Sequence, residues 1–156
     1  MVARGPRRWQ FNVRFRPKAD IKLGALSCYR TAMTAFTELE LAALHSIVSE
    51  TAELAPQFER QLSVATVTGR ENTGVGFFTT ISMPPTTVAI DRVEPLSGET
   101  HARVPGLEHG LGFVLFLADG RIETLEAFTY GSESTSSLDL ANLSFEIVRE
   151  PVNRVS

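Results

Sequence analysis

Two hydrophobic periods divide this chain. Between Leu41 and Leu62 the apolar positions (Leu41, Leu44, Ile47, Val48, Leu54, Phe58, Leu62) fall mostly three and four apart, the spacing that gathers them on one side of a helix. Thr37 and Glu40 form a T-x-x-E capping box at its start, with Phe36 and Leu41 at the two positions of a hydrophobic staple. Proline is tolerated in a first helical turn, so Pro56 opens a second short helix carrying Phe58 and Leu62. His45 lies among these apolar positions and reads as a packing or surface residue.

After Leu62 the period becomes two. "SVATVTGR" and "VGFFTTISM" flank "ENTG" and predict two strands joined by a glycine-containing loop. "TTVAIDRV" predicts a third strand after the Pro84-Pro85 break, "THARV" a short fourth, and "LANLSFEIV" a last one through Leu143, Phe145 and Ile147. Asp119-Gly120 divides two β-rich runs between Leu111 and Tyr130, which calls for a two-residue type I′ turn. "GSESTSS" at 131–137 reads as a polar loop. The expected fold is α+β: an N-terminal helix, or helix pair, packed on a curved antiparallel sheet of about five to six strands.

The Asp119-Gly120 turn also sets a register. Ala118 opposite Arg121 puts Leu117 opposite Ile122, Leu115 opposite Thr124, Phe113 opposite Glu126, Leu111 opposite Phe128 and His109 opposite Tyr130. Opposed residues share a sheet face, so a carboxylate is expected among Phe113, Leu115 and Phe128, with His109 and Tyr130 at the rim. Such a group must be hydrogen-bonded, protonated or in a cleft. Glu126, His109 and Tyr130 are therefore the candidate acid/base residues, with a solvated or loop-capping Glu126 as the plainer alternative. Arg70 and Asn72 in "RENTG" are candidate ligand-binding residues, although Asn and Gly are also what a turn needs. His101, Glu108 and His109 carry metal-ligand chemistry within nine residues, but loop polarity explains them better and no metal is expected.

Composition excludes more than it selects. The 156 residues are 43% hydrophobic, enough for one core, and no apolar run approaches the roughly 18 residues of a membrane span. Cys28 is the only cysteine, so no disulfide framework exists and a cytoplasmic location is expected. The net charge of −3 hides an asymmetry: residues 1–30 hold eight basic residues against Asp20, while the other 126 hold seven basic and seventeen acidic. A body of −10 repels phosphate, so a nucleic-acid partner is not expected and a basic protein partner is. "HGLGF" lacks the third glycine of a dinucleotide fingerprint, and "GSES" lacks the second glycine of a nucleophile elbow. No cofactor is called for. The domain is expected at 33–150 with a short tail at 151–156.

Two resemblances add to this. "FNVRFRPKADI" at 11–21 resembles a segment that recurs at the ends of unrelated alphaproteobacterial proteins and looks like translated repeat DNA. With Met33 opening "MTAFTELELAALHSI", residues 1–32 are expected to be an extension or a mis-assigned start. "FERQLSVATVTGRENTGVGFFTTI" and "VPGLEHGLGFVLFLADGRIETLEAFTYG" resemble a family of small, mostly uncharacterised bacterial α+β proteins whose hairpin ends in DGRL-x-x-LE-x-[FY]. Asp119, Gly120, Arg121, Leu125, Glu126 and Phe128 match that ending, with Ile122 for the usual leucine. The resemblance implies the fold and carries no activity. By analogy it suggests a non-enzymatic protein-binding or immunity-like module. The competing expectation is a small-ligand-binding or hydrolytic enzyme centred on Glu126, His109 and Tyr130, and a homodimer through a sheet edge is a further one.

Overall fold

The computed structural model describes residues 35–149; the expected extension at 1–32 and tail at 151–156 lie outside them. Among the described residues two helices precede the sheet, α1 (Glu38–Ser49) and α2 (Ala55–Leu62). Thr37 caps α1 by accepting the Glu40 N–H at 3.2 Å, and the Glu40 carboxylate accepts the Thr37 N–H at 2.7 Å. The capping box is thus complete. The staple fares differently: Leu41 is 38% exposed, and α1 turns Leu39, Glu40, Ala43, Leu44, Ile47 and Val48 inward instead. Pro56 sits in the first turn of α2, which buries Phe58, Gln61 and Leu62. His45 is a surface residue whose Nδ1 meets the Glu59 carboxylate at 2.8 Å.

Six strands follow: β1 (Thr66–Asn72), β2 (Gly76–Ser82), β3 (Thr100–Arg103), β4 (Leu111–Ala118), β5 (Arg121–Thr129) and β6 (Glu146–Arg149). They form one antiparallel sheet in the order β1-β2-β5-β4-β3-β6. Alternate residues of each strand face the helices. Phe77, Ile81, Ala102, Leu111, Phe113, Leu115, Leu125 and Ala127 are buried there against Leu44, Ile47, Val48 and Phe58. The fold is α+β, with α1 and α2 on one side of the sheet.

Three sequence expectations need correcting. "TTVAIDRV" forms no strand. Its backbone is held by other groups: the Gln61 amide donates to the Val88 and Gly120 carbonyls at 2.9 Å each, and the Ile90 N–H donates to Gly120 O at 2.8 Å. Arg121 Nε donates to Thr87 O. With Ile90 buried and Val88 and Val93 exposed, the β-branched residues mark a strap under the hairpin tip rather than a ladder. The last strand likewise begins only at Glu146, after Leu143 and Phe145 have packed against the core as irregular chain.

The hairpin register is the third correction. Asp119 (φ 48°) and Gly120 (φ 70°) make the expected turn, with Leu117 opposite Ile122 and Ala118 opposite Arg121. The next pair is Phe116 with Thr124, so Glu123 is an extra residue, a β-bulge. Every later pair shifts by one: Leu115 meets Leu125, Val114 meets Glu126, Phe113 meets Ala127 and Gly112 meets Phe128. Because the side-chain period is two, one inserted residue moves Glu126 and Phe128 to the face opposite Phe113. The shift suits burial, since it puts Leu125 and Ala127 into the core where Thr124, Glu126 and Phe128 were expected.

Candidate functional site

The sheet has two faces with different chemistry. On the helix face, Glu40 is 1% exposed yet fully partnered. Arg70 on β1 grips its carboxylate with both ends of the guanidinium, Nε to Oε1 at 2.7 Å and Nη2 to Oε2 at 2.8 Å. Thr79 donates to Oε1 at 2.6 Å, and the Thr37 N–H to Oε2. Burial alone would push this carboxyl up. The donors from Arg70, Thr79 and Thr37 outweigh it and hold the group below the ordinary carboxylate range. Arg70 Nη2 also donates to Ala35 O at 2.7 Å. Its guanidinium therefore locks the start of α1 to β1.

Asn72 is also engaged within the fold. Its amide donates to Thr135 O at 3.0 Å, and its Oδ1 accepts the Gly74 N–H at 2.9 Å and lies 2.8 Å from Thr135 Oγ1. These contacts tie the 131–137 loop to the β1–β2 turn, with Thr135 wholly buried.

The outer face carries Glu71 on β1, Phe78 on β2, Thr124, Glu126 and Phe128 on β5, Val114 and Phe116 on β4, His101 on β3 and Val148 on β6. Most of these are half-buried, including the aromatic ones. Gly112 makes room for two of them. A Cβ there would lie 2.5 Å from both Phe128 Cζ and the Tyr130 hydroxyl, so these rings lie across its backbone. Phe128 and Tyr130 pack edge to face at 5.4 Å, and Tyr130 shares a 2.5 Å hydrogen bond with His101 Nδ1. Burial pushes the Tyr130 hydroxyl up from its ordinary value.

Glu126 stands in the middle of this face, on the third of six strands, between Phe78 and Val114. Among the described residues no hydrogen bond or ion pair reaches its carboxylate, and burial raises it above the ordinary range. It is the opposite of Glu40: less buried, and without donors.

The three candidate acid/base residues are therefore divided. Glu126 and Tyr130 share a face, four residues apart along one strand direction. His109 precedes β4, is largely exposed, and meets Glu133 instead. The Glu133 carboxylate accepts the N–H groups of Glu108 and His109 and lies 3.3 Å from His109 Nδ1. A cleft of about 820 Å³ opens between β3, the 104–110 segment and β6. It holds His101, His109 and Tyr130 along its walls, and Glu126 does not line it. Among the described residues no group of three or more His, Cys, Asp or Glu is placed to hold a metal ion, and no helix is long and apolar enough to cross a membrane.

Sequence reasoning missed Glu40, His101 and Glu133 as organising residues. Glu40 was readable as a cap, but its match with Arg70 spans thirty residues and no local pattern encodes it. His101 could have been found through Gly112, a mid-strand glycine that signals close approach by a ring. No family model matches the chain, and neither a curated protein nor a solved structure does.

Proposed function

We propose that this domain is a non-enzymatic protein-binding module, of which an immunity-like protein is one form, and that it engages a basic partner through the outer face of its sheet. One observation carries the reading. Among the described residues the helices cover one face, while the other carries Val114, Phe116, Phe128 and Val148 half-buried around a Glu126 that meets no hydrogen bond or ion pair there. Half-exposed aromatic and aliphatic residues at the centre of a sheet mark an interaction surface more often than a solvated one. Charge supports the partner's sign: residues 35–149 hold sixteen acidic side chains and six basic.

For the enzyme reading, His109 and Tyr130 line the 820 Å³ cleft and Glu126 does not. The His101–Tyr130 pair beside the 820 Å³ cleft is what favours a small-ligand site there.

Charge reversal on each face tests the proposal. Thr124→Arg alters the outer face and Leu41→Arg the exposed side of α1. A polypeptide isolated with the wild-type chain should bind the Thr124→Arg protein at least tenfold more weakly, on the scale of a like-charge clash, and bind Leu41→Arg normally. Loss with Leu41→Arg alone would place the binding surface on the helices and overturn the reading.

A further inference from the structure

The cleft of about 820 Å³ between β3, the 104–110 segment and β6 is lined by described residues alone. Val104, Leu107, Phe145 and Val148 give it apolar walls, and His101, His109 and Tyr130 bring two imidazoles and a phenol to it. Arg103, also on its wall, is already engaged by Glu146 at 3.3 Å and by a further contact. An apolar cleft with a few polar groups set into it is the ordinary build of a small-molecule site.

What each imidazole offers follows from what its Nδ1 already meets. The Tyr130 hydroxyl has one hydrogen-bond partner among the described residues, His101 Nδ1 at 2.5 Å. Burial makes that phenol harder to deprotonate, and its hydrogen goes to the ring nitrogen, so Nδ1 is the acceptor. The hydrogen of the neutral His101 ring then sits on Nε2, which meets no partner among the described residues. At His109 the order is reversed. The Glu133 carboxylate can only accept, so His109 Nδ1 carries the hydrogen across 3.3 Å and Nε2 keeps its lone pair. The cleft is therefore lined by one ring with a donor to spare and another with an acceptor to spare.

The walls select by charge as well as by hydrogen bonding. Glu133 already occupies the backbone N–H groups of Glu108 and His109, the natural seat for a ligand's carboxylate or phosphate. Glu108 and Glu146 on the walls repel a further anion. An ammonium would have to face the N–H of His101. A neutral group with one acceptor and one donor meets both rings' requirements, and a flat ring attached to it would cover Phe145 and Val148. We propose that this cleft is a binding site for a small, neutral aromatic amide, its carbonyl accepting from His101 Nε2 and its N–H directed to His109. The site is independent of the binding-module reading, since Glu126 does not line the cleft.

Benzamide, benzoate and benzylammonium share one ring and differ in charge, and titrating each into the full chain with amide and imidazole NMR tests the proposal. Benzamide should bind in the millimolar range expected of so small a molecule and shift the signals of His101, Phe145 and Val148. Benzoate and benzylammonium should bind at least about threefold more weakly. His101→Phe keeps a ring and removes the donor, and should weaken benzamide about tenfold. His101→Gln, whose amide can accept from Tyr130 and donate to the ligand, should recover most of that loss. Unchanged amide dispersion in each variant verifies folding. Equal affinities for the three probes, or no shift within the cleft for any of them, would overturn the proposal. So would a His101→Phe protein that binds benzamide as the wild type does, or imidazole nitrogen spectra that place the His101 hydrogen on Nδ1.

Discussion

Glu40 and Glu126 are two carboxylates on opposite faces of one sheet, and the fold treats them in opposite ways. Glu40 is more deeply buried and yet is held in its charged form, because four hydrogen bonds from Arg70, Thr79 and Thr37 replace the water it lost. Glu126 keeps more contact with solvent and yet is pushed toward its neutral form, because Phe78, Val114 and Phe128 offer nothing in return. Burial depth alone does not decide the state of an ionisable group. The donors around it do. Arg70 serves the inner carboxylate, and among the described residues no donor serves the outer one, which is the basis of the proposed binding face.

The largest way to break this arrangement is at the hairpin, which sets which face Glu126 occupies. Gly120 sits at φ 70°, and a Cβ there would come within 2.1 Å of the Ile90 carbonyl oxygen. Gly120→Val should cost about 3 kcal/mol or more, from a left-handed backbone in a β-branched residue together with displacement of the strap at Ile90. Denaturant unfolding measures this. A loss below about 1 kcal/mol would mean that the tip is far more plastic than its contacts indicate.

The inner carboxylate comes next. Arg70→Ala leaves Glu40 buried without its main partner and should cost about 2–4 kcal/mol, toward the lower end for a buried pair because part of the guanidinium reaches solvent. Wild-type stability should also have an acid limb. Glu40 has a folded pKa below its ordinary 4.5, so its contribution is present above that value and is lost as pH falls through the folded one. Removing the Asn72 amide is a smaller test of the same face. Asn72→Ala should cost about 1–2 kcal/mol and loosen residues 131–137, read as faster amide exchange there.

The smallest effect is the most telling for the comparison. Glu126→Gln should leave stability at neutral pH unchanged or raise it by no more than about 1 kcal/mol, since no donor is lost. The sign also reverses with pH. A carboxyl raised in the folded state makes the protein lose stability as pH rises from the ordinary 4.5 through the folded value, and Gln removes that slope. A substantial loss of stability in Glu126→Gln would show that the outer carboxylate is structural after all.

Much of this was legible in the chain. Thr37 and Glu40 mark the helix start through a three-residue spacing, and Asp119-Gly120 marks the turn through residues that tolerate positive φ. Both signals are local, and both rest on backbone conformations that only certain residues favour. The bulge at Glu123 was not legible, because it arises from fitting Leu125 and Ala127 to a core that forms only when α1 and α2 pack. One residue of slip moved Glu126 from the expected core face to the outer one. Glu126 and Tyr130 were found from the sequence as residues on one face, but their surroundings depended on the slip. His109 was expected beside them through a register that ended before reaching it, since the ladder between β4 and β5 starts at Leu111. The Arg70–Glu40 pair joins a helix to an edge strand, and Glu133 reaches from one loop to another, so neither had a periodicity to betray it.

Carbon-13 NMR titration of the glutamate side-chain carboxyls tests the contrast most directly, with Glu40→Gln and Glu126→Gln spectra giving the two assignments. The predicted result is that Glu126 titrates above 4.5 and Glu40 below it, on opposite sides of the ordinary value. A Glu126 carboxyl that titrates at or below Glu40 would contradict it, because the outer carboxylate would then already have its donors and would not be waiting for a partner's.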